Sequence, residues 1–417
     1  MKKIDFKWLF AILSLMVLPI NAQIAHNYEV ATWHQFRTSA VTYTFDDNTA
    51  NQLSIALPIF NQYNFKITLF VISGRITNWS GYLSASNNGH EVASHTVDHY
   101  NMSTLTVNDQ DLELKKSQIT IKSNLKSSDC VTVAYPNCII GDLNSIQKYY
   151  IAGRVCNGAI IPSTPIDFYK ISSISTGTAS SVQTAIQLNS KVDLAKSSKG
   201  WCMFMTHAID GETGYSPTQS SELATHLAYV NSKSSDFWVA TFENVVKYIK
   251  ERNALSISEV PASSDSYLIS VTDNLPDSIY NVPITIKRLL PTAWISGKVY
   301  QNNEPISSKI TTVGSNKYIE FDVIPDKGDL MLTNNDVTEI VSMGDNNVMI
   351  EPNPFKNEIL ISAVGEFKYS VFGLEGRLTE QGQGISQKTI GYDLIPGIYV
   401  LKVKTVSQIF TSKIFKL

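Results

Sequence analysis

Val41-Thr42-Tyr43-Thr44-Phe45-Asp46-Asp47 decides how the first half of this chain is read. Five β-branched and aromatic residues form a buried strand, and two adjacent carboxylates end it. Carboxylates set directly behind a buried strand are costly unless they are paired or hold a cation, although an ordinary turn accounts for the pair taken alone. Working outward, further short apolar runs at 66–72, 91–94, 131–135, 152–156 and 201–206 read as buried strands. Helical patterns lie between them. Thr106 with Asp109 resembles a capping box opening a helix to about Leu125, and Phe242, Val245, Val246 and Ile249 repeat as the apolar stripe of another. Strands alternating with helices predict a parallel sheet or barrel over residues 38–252.

Chemistry gathers at the strand ends. Ser94-His95-Thr96-Val97-Asp98-His99 follows one strand, and two histidines four apart on a helical turn point from one face and can hold one metal. Ala134-Tyr135-Pro136-Asn137 runs from a strand into a turn, and His207 follows the apolar run 201–206. A satisfied core histidine or simple punctuation explains each singly. All four polar elements cap the C-terminal end of a strand, which is the active-site face of a β/α barrel.

In order and wording these elements resemble the NodB-type polysaccharide deacetylases, carbohydrate esterase family four. Thr44-Phe45-Asp46-Asp47 is similar to that family's first motif and Ser94-His95-Thr96 with His99 to its second. Tyr135-Pro136 resembles the third and Thr206-His207 the last. The resemblance implies a distorted (β/α)7-type barrel, with Asp47, His95 and His99 as metal ligands. It makes Asp46 the general base and His207 the general acid. A backbone N–H of Tyr135 or Asn137 would help hold the oxyanion. Zinc is the default metal for two histidines and a carboxylate in a hydrolase, with cobalt, manganese or nickel as substitutes. Two departures stand out. The third motif lacks the family's Arg, and Arg154 on the next strand is expected to orient the base in its place, a surface ion-pair role being the alternative. The Asp-rich fourth motif is missing too: residues 172–181 contain only Ser, Thr, Ile, Gly and Ala, which leaves His207 less firmly oriented. Trp33, Trp79, Tyr100, Tyr135, Tyr215 and Trp238 are candidate groove aromatics. Trp79 and Tyr215 are favoured for ligand contact, and Trp238 for the core. The expected reaction is removal of N-acetyl from an amino sugar or O-acetyl from a xylan-like chain. A non-catalytic sugar-binding protein of the same fold is the first alternative. A non-haem iron oxygenase, which shares the two-His-one-carboxylate set, is the second.

The remainder of the 417 residues sets the context. With 34 basic against 37 acidic residues there is no electrostatic footprint for nucleic acid or an anionic membrane. Lys2, Lys3 and Lys7 precede an apolar run at 8–20, and Ala22 suits a cleavage site. Residues 1–22 therefore read as a signal peptide, which implies export through the periplasm to the cell surface or beyond, with no transmembrane segment. Cys130, Cys138, Cys156 and Cys202 allow three disulfide pairings. Cys138 with Cys156 is favoured by neighbouring strand ends, and four buried free thiols remain open. The deacetylase-like domain is placed at 23–253. Short β-rich segments separated by turns predict an immunoglobulin-like β-sandwich at 254–341. After a polar linker at 342–347 come Pro352-Asn353-Pro354-Phe355, Gly373-Leu374-Glu375-Gly376-Arg377, Pro396-Gly397-Ile398-Tyr399 and a terminal Lys416. Residues 348–417 thereby resemble the type A sorting domain of the type IX secretion system, which implies that secretion machinery as a partner beside the polysaccharide substrate.

Overall fold

The computed structural model describes residues 24–417 apart from 26, 127, 264, 303, 335–347, 375, 407 and 408. The signal peptide, the linker at 342–347 and Glu375 of the 373–377 turn lie outside the described residues.

After a short strand β1 (Tyr28–Val30), the first half builds a parallel sheet from β2 (Ser39–Asp46), β3 (Thr68–Val71), β4 (Glu91–Ser94), β5 (Thr132–Ala134), β6 (Ala152–Arg154), β7 (Ile174–Ser175), β8 (Trp201–Thr206) and β9 (Phe237–Val239). The order is β6-β5-β4-β3-β2-β8-β7. On the edge of β2 away from β8, β9 pairs with Ser39, Ala40 and Val41, while β3 pairs with Thr44, Phe45 and Asp46. The result is a curled parallel sheet, a half-barrel. Two predicted strands match to the residue, at 91–94 and 201–206, and the others shift by one or two residues at an end. β7 and β9 were not foreseen: β7 is two residues long within a Ser/Thr stretch, too short for any alternation to register.

Alternation of side chains across the strands creates two cores. Val41, Tyr43 and Phe45 of β2, with Leu69, Val92, Val133, Cys202 and Phe204, face one side. There they meet α1 (Leu57–Asn61), α2 (Ser80–Asn87), α3 (Val107–Asn124), α4 (Leu143–Gln147), α5 (Ala185–Ser198) and α6 (Ser220–Ser232). Ala40, Phe70, Ala93, Ala134, Ala152, Trp201 and Met203 face the other side, where Phe242, Val245, Val246 and Ile249 of α7 (Phe242–Ala254) close over them. The apolar stripe read from α7 is thus its buried face. α3 starts where Thr106 Oγ1 accepts the N–H of Asp109, as its cap predicts.

Beyond α7 the described elements are all strands. They begin with β10 (Ser256–Ser263), β11 (Ser266–Thr272), β12 (Ile284–Leu289), β13 (Gly297–Gln301), β14 (Glu304–Ile306), β15 (Ser308–Val313), β16 (Asn316–Val323) and β17 (Leu330–Asn334). β18 (Val348–Glu351), β19 (Ile359–Gly373), β20 (Leu378–Ile390), β21 (Gly397–Thr405) and β22 (Ile409–Lys416) follow. The chain divides into two compact units. One runs to Leu290 and includes Ile306–Leu330; the other comprises Pro291–Pro305 and Met331–Leu417. Residues 253 and 254 both belong to the first unit, and residues 341–347 lie outside the described residues. Moreover, β1, read as part of the first domain, pairs with β12 as the edge of the sheet β1-β12-β16-β15. Three residues carry too little pattern to announce so distant a partner. A buried pair ties β10 to β12: Arg288 donates to both Glu259 oxygens at 2.7 and 2.9 Å, and the Tyr28 hydroxyl donates to the same carboxylate.

In the second unit, β18, β19, β21 and β22 form a sheet with β20 on β19. Phe355, Ile359, Val371, Leu401 and Ile414 fill its core. The Pro354-Phe355 segment joins the end of the chain, Phe355 donating to Phe415 and Leu417 donating to Phe355. The Lys416 ammonium donates to the carbonyls of Asn357 and Gly391. No described helix is long and apolar enough to cross a membrane.

Candidate active site

The parity that puts Phe45 among the helices puts Asp46 on the inner face, beyond Thr42 and Thr44. Asp46 is 1% exposed. Arg154, carried by β6, reaches it: Nη2 lies 2.5 Å from Asp46 Oδ2, and Nη1 donates to Thr44 Oγ1 at 3.2 Å. Arg154 is equally buried, so it is no surface ion pair, and its guanidinium lies against the Asp46 carboxylate. His95 Nε2 and His207 Nε2 stand 3.9 and 3.8 Å from the same oxygen. Burial pushes the Asp46 carboxyl up, yet Arg154, His95 and His207 outweigh it and hold the group below the ordinary carboxylate value. Asp46 is therefore an anion at neutral pH, and its Oδ1 is buried with no hydrogen-bond partner.

Asp47 follows with φ 75° and Asn48 with φ 60°, so the chain turns sharply off the strand. Asn48 fixes that turn by donating to the Ile72 carbonyl at 2.9 Å and accepting the Ile72 N–H at 3.0 Å. Asp47 Oδ1 lies 3.6 Å from His95 Nε2 and 3.6 Å from His99 Nε2. One ligand atom from each of the three residues falls within 4.8 Å of the others. His95 Nδ1 contacts the Ala134 carbonyl at 2.8 Å; a carbonyl only accepts, so that nitrogen carries the proton and Nε2 keeps its lone pair. Asp47 Oδ1 is buried without a hydrogen-bond donor. One oxygen and two imidazole nitrogens converging on one point fit a divalent cation. Asp47, His95 and His99 would hold it.

The two histidines do not share a helical turn, as their spacing suggested. They flank a loop in which Thr96 and His99 take left-handed φ of 65° and 63°. Thr96 Oγ1 accepts the His99 N–H, and Glu113 of α3 accepts the N–H groups of Val97 and Asp98, each at 3.0 Å. Asn48, Glu113 and Gln52 were not singled out from the sequence. Gln52 donates to the backbone carbonyls of Asp46 and His207, joining the ends of β2 and β8.

His207 continues the inward parity of Trp201 and Met203. Its Nδ1 is buried without a partner, and the stretch 172–181 supplies only hydroxyls nearby, Thr176 bonding Thr206 and Thr218. No carboxylate among the described residues bonds His207 Nδ1. Tyr215 sets its ring edge-on to the His207 imidazole, centroids 4.9 Å apart, and is 55% exposed. Trp79, favoured for ligand contact, instead leans on Tyr82 and the helix-side core. Trp33 is fully buried, donating to the Lys199 carbonyl, and Trp238 packs beside it in the core. Tyr100 is exposed. The Tyr135 ring is buried, and its N–H bonds the Arg154 carbonyl at 3.3 Å, leaving Asn137 of the two proposed oxyanion donors. Cys138 and Cys156 form the disulfide that neighbouring strand ends favoured, while Cys130 and Cys202 are free and buried.

The family model for polysaccharide deacetylase matches residues 34–147, the stretch that carries Asp46, Asp47, His95 and His99. A gellan lyase of a Bacillus species is 27% identical over 326 residues, 73% of this chain and 13% of that protein. A probable peptidoglycan-N-acetylglucosamine deacetylase of Arthroderma benhamiae is 45% identical over 69 residues, 16% of each. The chain thus spans under a fifth of the length of either curated relative. Among solved structures, the Xyl-CE4 domain of a multidomain xylanase from the hindgut metagenome of Trinervitermes trinervoides is similar with a TM-score of 0.37 and 18% identity, covering 49% of this chain and 88% of that one. Residues 34–147, with the strand-end residues they carry, are thus similar to the polysaccharide deacetylase family.

Proposed function

We propose that the protein hydrolyses acetyl groups from a polysaccharide or oligosaccharide with the help of a divalent cation, zinc by default. One observation carries the reading: an anionic, buried Asp46 with a vacant oxygen lies between His207 and the Asp47-His95-His99 set. A divalent cation held there would polarise the acetyl carbonyl and acidify the attacking water. Asp46 accepts the proton of that water through its unpartnered Oδ1, Arg154 keeping the carboxylate ionised and aimed. His207 donates a proton from Nε2 to the departing amine or alkoxide as the acyl bond breaks, giving acetate and the free sugar group. The rim at Asn137 offers a backbone donor to the carbonyl oxygen as charge gathers on it. The unpartnered Nδ1 of His207 favours the second reading, a sugar-binding protein without turnover, because an imidazole lacking its orienting acid is a weaker acid catalyst.

The test is acetate release from chitooligosaccharides and from acetylated xylan with zinc or cobalt added, Asp46→Asn serving as control. Acetate from one panel, lost by ~10³-fold in the control, supports the reaction and chooses the N- or O-linkage. Metal bound with no acetate from either panel leaves the binding reading. The all-strand region after α7 is taken as an immunoglobulin-like spacer, and residues 348–417 as a type A sorting domain of type IX secretion. With the basic-then-apolar stretch at 1–22, these argue for an exported, cell-surface or secreted enzyme.

A further inference from the structure

We propose that the Cys138–Cys156 disulfide is a positioning element of the active site, a staple that keeps Arg154 on Asp46; the proposal rests on the deacetylase reading above. Arg154 comes from an unpromising place. β6 is the last strand in the sheet order and only three residues long. It pairs with β5 through Thr132↔Ala152, Val133↔Gly153 and Ala134↔Arg154. On its outer side a single bridge joins Arg154 to Ile171, with bonds from Val155 N–H to Ile171 and from Ile171 N–H to Gly153. Its middle residue has no side chain to pack: a Cβ on Gly153 would stand 1.9 Å from the Tyr135 hydroxyl oxygen. Short edge segments with few packed side chains are where a sheet opens first. Yet this strand must hold a guanidinium that is 1% exposed, with an unpartnered Nε, against the general base.

The disulfide stands where that weakness would show. Cys156 is two residues past Arg154, and Cys138 ends the Pro136–Cys138 turn that follows β5. It therefore joins the two strands just beyond the Ala134↔Arg154 pair. An Arg on β5, the interior strand, would be held by neighbours on both sides. Delivered from the edge, it needs a covalent tie instead. The metal-binding set is less exposed to the same loss, because His95 rests on the Ala134 carbonyl of β5 and its own N–H bonds Val71 of β3. Opening β6 should thus slow the chemical step and spare cation binding.

The experiment is a cycle of four full-length proteins loaded with zinc: wild type, Cys138→Ala/Cys156→Ala, Arg154→Ala, and the triple variant. In the wild-type background, loss of the disulfide is expected to lower kcat about tenfold, with KM and zinc affinity unchanged. In the Arg154→Ala background it should lower kcat no further, because the residue through which it acts is gone. An equal fold loss in both backgrounds, or no loss in the first, overturns the proposal. Amide hydrogen exchange provides a readout free of turnover and of the folding of Arg154→Ala. Breaking the disulfide, by substitution or by brief reduction of the exposed Cys156 bond, should accelerate exchange at 152–156 while 201–206 stays protected. Unchanged protection at 152–156 overturns the staple. A wild type that releases no acetate instead overturns the deacetylase reading and leaves the exchange result to judge the staple alone.

Discussion

The two ends of the parallel sheet both bury carboxylates, and they treat them in opposite ways. At the N-terminal end Glu91, the first residue of β4, accepts from the Thr132 hydroxyl on one oxygen. Its other oxygen accepts from the Thr68 hydroxyl at 2.7 Å and the Glu243 N–H at 2.9 Å. Thr68 in turn accepts the Phe242 N–H, and Lys247 joins Glu243 to Asp129. At the C-terminal end Asp46 Oδ1, Asp47 Oδ1 and His207 Nδ1 are buried without hydrogen-bond partners. Burial raises the Glu91 carboxyl, with Glu243 adding to the rise, whereas Arg154 above all, with His95 and His207, overcomes the burial of Asp46. Saturated polar groups hold the first turn of α7 onto the strand starts. Open valences cost stability, and although Ser39 Oγ at the start of β2 is also unpartnered, three of them cluster at the C-terminal end, where a substrate or ion would complete them. The first end is scaffold and the second is site.

His207→Gln should break the comparison most severely if it is wrong. An unpartnered Nδ1 means that the ring contributes little to the fold, so kcat should fall ~10²-fold or more while the unfolding midpoint moves by only about 1 °C. A large thermal loss would mean that the site end is scaffold too. Glu91→Ala is the mirror test. It strands two hydroxyls and the start of α7, and should cost about 3 kcal/mol in a denaturant titration while leaving kcat per folded molecule within about twofold. A rate collapse without loss of stability would erase the distinction between the ends.

How much of this could be read in advance follows the same division. The site was legible because its groups occur as short words at strand ends: Asp46-Asp47, His95 with His99, and His207 after an apolar run. Strand parity then aims each one inward. Arg154 was reachable because the third motif lacked its Arg and the next strand offered one. Asn48, Gln52 and Glu113 were not legible, since each acts on backbone atoms that become neighbours only when the sheet and α3 are assembled. The loop between His95 and His99 was misread as helical because nothing in Thr96 or His99 announces a left-handed backbone. The Glu91 cluster was invisible for the same reason as β1: its partners are scattered through the chain and no spacing links them.

A gentler test concerns pH. Burial pushes the Glu251 carboxyl of α7 up to about 8 from an ordinary 4.5, the Val282 N–H offsetting only part of it. Because the folded value lies above the unfolded one, the contribution of this group is fully present below about pH 4.5 and is lost as pH rises through about 8. The unfolding midpoint should therefore drop by about 4 °C between pH 5 and pH 8.5, and Glu251→Gln should flatten the slope. An unchanged slope in the variant would remove Glu251 from the scaffold's pH response.

The smallest effect sharpens the rim itself. Tyr215 is more than half exposed and touches the His207 ring by its edge, so the fold gains little from it. An exposed phenol ring beside the proposed acid catalyst is suited to lie against a sugar face, and such a contact exists in the ground state as well as in the transition state. Tyr215→Ala should then raise KM about threefold to tenfold with kcat nearly unchanged. Tyr215→Phe should behave as wild type, because the ring and not the hydroxyl makes the contact. If kcat falls instead and KM holds, the ring acts by steadying an imidazole that has no acid on its Nδ1, and the open valence at His207 is partly closed by Tyr215 rather than by the substrate.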